Sequence, residues 1–207
     1  MSFPFRPAAP TALLAFLFAG CGGSDEPGTD AEGPEPEAVE TQVEEAPASN
    51  APTPPSGELT TPEWFTVDHD ARSVSMTLTA GTTNANNSWN YMGTLNGELS
   101  VTVPVGYQVS IELVNNDAVM AHSVGVSEGD GTFGAVVEAV AAFEGAMTAN
   151  PTSMIDGTMP GQSDTFTFTA DTAGTYQLVC YVAGHAITGM WAWFIVSEDG
   201  SAGVIGA

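Results

Sequence analysis

In the stretch "CYVAGHAITGMW", residues 180 to 191, Cys180, His185 and Met190 stand at equal intervals of five. The whole chain holds 2 cysteines and 3 histidines, so their meeting on one short segment calls for a chemical reason. A lone cysteine among apolar residues is commonly a small buried hydrophobe, and two cysteines in an exported chain can form a disulfide. The other cysteine, Cys21, sits far away at a processing site, which leaves Cys180 a free thiol that something must protect or use. Metal coordination does both. Thiolate, imidazole and thioether, completed by a second imidazole, make the His2Cys trigonal set with a long axial Met that binds a single electron-transfer copper ion. Zinc fits less well, because a thioether is a poor zinc ligand. Gly184 and Gly189 let the segment fold back so that its three donors can converge.

The second imidazole must come from a neighbouring element. His122 follows "VNNDAVMA", where one strand pattern ends in an Asn-Asn-Asp turn and another begins, so it stands at a strand mouth beside the ligand segment. His69, in the polar turn "TVDHDARS", is the alternative and reads more simply as a solvent-exposed residue. Ser123, next to His122, is a candidate hydrogen-bonding neighbour of the site, as are backbone N–H groups around the cysteine.

The elements that would hold these residues are strands. "SVSMTLTA" (73–80), "ELSVTVPVG" (98–106), "YQVSIELVNND" (107–117), "HSVGVS" (122–127), "SDTFTFTA" (163–170), "GTYQLVCYV" (174–182) and "GMWAWFIVSE" (189–198) alternate or carry β-branched and aromatic runs between turn residues. They predict an all-β sandwich of about seven to eight strands over residues 58–199. The alanine-rich stretch 132–151 breaks the pattern and is expected as an irregular, partly helical insertion within 128–160. Residues 200–207 are expected as a flexible tail. Trp64, Trp89, Trp191 and Trp193 read as core or core-edge aromatics.

Composition narrows the partners. The formal charge is −23, with Arg6 and Arg72 the only basic residues, which excludes nucleic acid, since phosphate contacts need clustered Lys and Arg. Such acidity suits solubility in a salty medium, and a basic protein partner is the other reading. Residues 1–21 read as an export signal, with Arg6 before the apolar run "TALLAFLFAG" and small residues before Cys21. The stretch "LFAGC" resembles a bacterial lipobox, which implies lipidation at Cys21 and a membrane anchor; Phe18 departs from the usual leucine. Residues 22–57, acidic, Pro-rich and without an aromatic, are expected to form a disordered tether. The expected location is the cell envelope, periplasm or outer cell surface.

With these residues in view, the chain from about 64 to 197 resembles the cupredoxins, and most closely the sulfocyanin family of blue copper proteins. The resemblance rests on "NYMGTLNGELSVTVPVGYQVSIELVNNDAVMAHS", then "MPGQSDTFTF", "GTYQLVC" and "GHAITGMW". It implies a Greek-key β-sandwich and one copper per chain, cycling between Cu(I) and Cu(II) on His122, Cys180, His185 and Met190. It also implies an electron carrier to membrane respiratory partners such as cytochromes or a terminal oxidase. The uncharged rim "AGHAI" around His185 is the expected electron port. A copper oxidase or nitrite reductase would need more imidazoles than three histidines supply, so no enzyme is expected. An exported copper carrier or scavenger is the rival reading, and a purely structural sandwich would leave the ligand spacing a coincidence.

Overall fold

The computed structural model describes residues 51–206. The expected export segment, Cys21 and most of the expected tether lie outside the described residues; residues 51–57, the last of that expected tether, carry no strand or helix. Nine strands follow: β1 (Phe65–Asp68), β2 (Ser73–Ala80), β3 (Ser100–Pro104), β4 (Gln108–Asn115), β5 (Gly125–Ser127), β6 (Ser163–Thr169), β7 (Gly174–Val179), β8 (Trp191–Ser197) and β9 (Gly203–Ile205). They form two sheets, in the orders β1-β2-β4-β6 and β5-β7-β8-β3-β9. β2 runs parallel to β4 and β3 parallel to β8, while the remaining pairs are antiparallel. The expected β-sandwich is the observed architecture.

Period-two alternation explains the first sheet. Val74, Met76, Leu78 and Ala80 of β2, Val109, Ile111 and Leu113 of β4, and Phe166 and Phe168 of β6 turn inward and are buried, while their neighbours turn outward. From the second sheet, Leu178, Ala192, Phe194 and Val196 complete the same core.

β8 alternates less because both its faces are covered. Its outward residues Trp191 and Trp193 form a second cluster with Val179, Tyr181 and Ala186, against which Phe133, Val137 and Ala139 pack. Phe133 lies 5.5 Å from Trp191, and the two indoles meet edge-on at 5.1 Å. The insertion is therefore a cover over the outer face of this sheet. Its partly helical expectation is corrected: 128–160 contains no helix. The physical reason is backbone pairing. Val126 donates to Ala146, Ala142 to Val126 and Thr148 to Val124, so the segment pairs with β5 and the residues leading into it, and its internal bonds are confined to short turns such as Val140 to Glu138 and Ala146 to Phe143.

The expected tail is corrected as well. Residues 203–205 form β9, which pairs with β3, and Val204 is fully buried while exchanging backbone bonds with Thr60. β1 and β9 escape a reading by pattern because strands of 4 and 3 residues carry too little alternation to stand out.

Candidate metal centre

The four expected donors come from two segments at one end of the sandwich. His122 lies on the loop between β4 and β5, Cys180 directly follows β7, His185 occupies the turn after it, and Met190 immediately precedes β8. The segment 180–190 closes through its own backbone. His185 N–H donates to Val182 O at 3.1 Å, Met190 N–H to His185 O at 2.9 Å, and Cys180 N–H to Met190 O at 3.3 Å. Gly189 is required there: its φ is +113°, and a Cβ would stand 2.7 Å from Asn96 Oδ1.

All four donor residues are fully buried. Ligand atoms of His122, Cys180 and His185 lie within 4.8 Å of one another, and Cys180 Sγ is 3.4 Å from His185 Nδ1. The two imidazole rings are 5.0 Å apart, centroid to centroid. His69 is elsewhere. It is exposed, with Nδ1 3.0 Å from the Tyr107 hydroxyl, beside the end of the β2–β4 ladder where Ser73 meets Gln108. The His122 loop leaves the other end, where Ala80 meets Asn115, about 23 Å away along eight-residue strands. Of the two histidines, it is thus His122 that the fold places beside Cys180 and His185.

Ser123 also lies beside Cys180. Its Oγ accepts the Tyr181 N–H at 2.9 Å, which leaves the hydroxyl hydrogen for Cys180 Sγ at 3.7 Å. Tyr91, also fully buried, donates its hydroxyl to Ser123 O. Burial pushes the Cys180 thiol pKa up, while bonds from the Ser123 and Val182 backbone and from the Ser123 and Tyr91 side chains pull it back in part. Binding as thiolate therefore needs a metal that displaces the proton.

Asp117 is the residue the sequence reading passes over. Its Oδ2 lies 2.9 Å from His122 Nε2, inside the protein. Burial alone would raise its pKa, but N–H groups of Val119 and Met120, at 2.8 and 3.3 Å from Oδ1, and His122 outweigh burial and hold it below the ordinary value. A carboxylate accepting from Nε2–H leaves Nδ1 as the lone-pair nitrogen, and His122 Nδ1 is buried with no hydrogen-bond partner. Asn115 braces the loop, donating to Met120 O and Thr158 O, both at 2.8 Å. The signal in "NNDAVMAH" was an Asp five residues before a ligand histidine, at the turn where such residues bond nearby N–H groups.

His185 departs from expectation in one respect. Its imidazole is not at the surface: Trp89 stacks on it, centroids 4.0 Å apart and planes 20° from parallel, while the neighbouring Ile187 is exposed. Burial, reinforced by His122, lowers its pKa to about 4 from the ordinary 6.5. Burial also lowers that of His122, against the pull of Asp117.

An acid response follows. The unfolded chain takes up a proton at an ordinary histidine pKa and the folded one does not, so stability is full above about pH 6.5 and falls as pH drops toward 4. A shift of this size is worth on the order of 3 kcal/mol. His122 acts in the same direction, and Asp117 adds a further loss below about 3.8. Urea melts of the copper-free protein at about pH 7 and about pH 4.5 are expected to show a clearly lower midpoint in acid; equal midpoints would contradict the assignment.

The donor chemistry fits one copper ion: two neutral imidazoles, one thiol that becomes a thiolate, and a thioether. The Sulfocyanin (SoxE) domain model matches residues 62–204. The sulfocyanin of Sulfolobus acidocaldarius is 27% identical over 136 residues, covering 62% of this chain and 65% of that protein, so the chain spans less than two thirds of that relative's length. Among solved structures, auracyanin B aligns at TM-score 0.43 and 20% identity over 65% of this chain and 95% of its own. A rusticyanin variant aligns at TM-score 0.43 and 21% identity over 65% and 87%. With a family match that runs through both sheets and includes positions 122, 180, 185 and 190, the chain belongs to the Sulfocyanin (SoxE) domain family.

Proposed function

We propose that this protein carries one electron at a single copper held by His122, Cys180, His185 and Met190. The observation that carries the reading is a soft donor set that is fully buried at one end of a packed sandwich. Copper there would supply a one-electron couple between Cu(I) and Cu(II). The protein's part is positional. Asp117 orients His122, the closed 180–190 turn holds His185 and Met190 in place, and Ser123 bonds to the Cys180 sulfur. Such support limits movement of the donors between oxidation states.

The rival role of copper carrier or scavenger needs donors that a recipient can reach in turn. Here every donor residue is buried, and His185 lies beneath Trp89, which favours electron transfer over release. The same closed site, with three histidines in the whole chain, speaks for a carrier and against an enzyme.

The wider reading is that residues 1–21 export the chain, Cys21 carries a lipid, and residues 22–57 tether the domain at a membrane. Redox proteins such as cytochromes or a terminal oxidase are the proposed partners. Support comes from the "LFAGC" stretch and the acidic, Pro-rich segment that follows it.

Copper titration followed by visible absorption tests the central claim. One copper per chain, an intense thiolate-to-copper band, and reversible bleaching by reductant are expected. A colourless complex, or one that loses its copper to a mild chelator during redox cycling, would overturn it.

A further inference from the structure

The segment between β2 and β3 is built in an unusual way. Asn86, Asn87 and Ser88 all have left-handed backbones, with φ of 52°, 56° and 66°. A run of three such residues without glycine is disfavoured, and asparagine tolerates it best because its short amide bonds locally. Backbone conformations of this kind persist only where surrounding bonds over-determine them.

Those bonds are present. The fully buried Asn90 donates from Nδ2 to Thr83 O at 2.9 Å and to Ala85 O at 3.0 Å, and its Oδ1 accepts the Gly93 N–H at 3.1 Å. Asn86 Nδ2 donates to Trp89 O at 3.0 Å and reaches Thr188 Oγ1 at 3.4 Å. Thr188 in turn donates to Gly184 O and His185 O, at 2.9 and 3.0 Å. The strap is therefore clamped on itself and tied to the turn that carries His185. The residue it delivers is Trp89, whose ring lies flat on the His185 imidazole.

We propose that residues 82–92 form a dedicated cover whose indole, Trp89, seals His185 against solvent, small ligands and inner-sphere oxidants. An electron partner then meets the site through the Trp89 face and not through the imidazole edge. Trp89 acts through His185 and is a positioning residue. His185 Nε2 is buried and has no hydrogen-bond partner, as expected for a nitrogen closed off by an aromatic face. The cover is a property of the folded chain, and its consequence for electron transfer rests on the copper reading above.

Histidine acylation by diethyl pyrocarbonate, mapped by mass spectrometry on the full-length copper-free protein near neutral pH, tests the cover without copper. In the unaltered protein the exposed His69 is expected to react while His122 and His185 stay protected. Trp89→Ala is expected to bring His185 labelling up at least about tenfold, toward the rate of His69, with His122 still protected. Trp89→Phe keeps an aromatic face and is expected to keep His185 protected. Labelling of His185 in the unaltered protein at the rate of His69 would overturn the proposal. So would continued protection in Trp89→Ala. If Trp89→Ala loosens the whole fold, His122 labels as well, and Trp89→Phe decides: exposure of His185 alone in that variant also overturns the cover.

A second arm uses the copper-loaded protein and azide. The visible spectrum of the unaltered protein is expected to be indifferent to excess azide, and that of Trp89→Ala to shift. An intact band in Trp89→Ala that ignores azide would count against the cover. Absence of an intense band in both proteins would instead overturn the copper reading and leave the acylation result to judge the cover.

Discussion

Cys180→Ser is expected to give a folded, colourless protein whose melting temperature no longer responds to copper. The fold should survive because the change is nearly isosteric at one buried position, and Ser123 Oγ lies 3.7 Å from the sulfur, close enough to pair with a hydroxyl after a small shift. The cost to the copper-free protein is therefore about 1–3 kcal/mol at most, the range for a polar group buried with imperfect pairing. The loss at the site is far larger. A serine hydroxyl stays protonated where a thiol yields its proton to the metal, so the one anionic soft donor disappears and with it the charge-transfer band. Copper that binds only the folded state stabilises it by about 4 kcal/mol at a thousandfold excess over Kd. Thermal melts with and without copper read this directly. An intense band, or an undiminished copper-induced rise in Tm, in the serine variant would show that Cys180 is not a ligand.

Asp117 yields the second large effect, and two substitutions separate its roles. Asp117→Ala leaves the buried Nε2–H of His122 without its acceptor and frees the N–H groups of Val119 and Met120. An orphaned buried donor costs about 1–3 kcal/mol, and loss of a side-chain cap on turn N–H groups about 1 more. A decrease of about 2–4 kcal/mol in denaturant melts of the copper-free protein is expected. Copper affinity should also fall about 10–100-fold, the usual effect of removing the group that orients a ligand imidazole. Asp117→Asn can keep an acceptor oxygen for His122 only by turning its amide NH2 toward the Val119 and Met120 N–H groups, so it removes the negative charge together with those turn bonds. The fold should then lose about 1 kcal/mol with that cap, less than in Asp117→Ala, while the reduction potential rises, because a nearby carboxylate favours the more positive Cu(II) state. Potentiometric titration of the unaltered protein and Asp117→Asn side by side reads this. An unchanged potential would mean that Asp117 acts only as an acceptor, and an unchanged affinity in Asp117→Ala would remove it from the site altogether.

Much of the fold and site was legible without coordinates. The donors Cys180, His185 and Met190 share one segment, so their convergence needs only a closed turn, and local backbone bonding supplies it. The long strands β2, β4 and β6 declare themselves because burial on one face imposes a period of two on a stretch of 7 or 8 residues. The choice between His69 and His122 could be leaned upon but not made, since both sit in polar turns and differ only in which end of the β2–β4 ladder they adjoin.

What the amino-acid sequence determined by itself is the chemistry on offer: one free thiol, few imidazoles, a thioether at the right interval, and alternating strands to mount them. These are local properties, set by residue type and by spacing along the chain. Tertiary structure alone decided what each donor faces. Asp117 is five residues from His122, yet its ionised carboxyl matters because burial leaves Nε2 no other acceptor. Trp89 is 96 positions from His185 and becomes its cover through a left-handed strap that no periodicity announces. The insertion and β9 follow the same rule. Both are fixed by backbone bonds and apolar faces supplied from distant strands, and such partners enter a sequence only as residues awaiting a surface to meet.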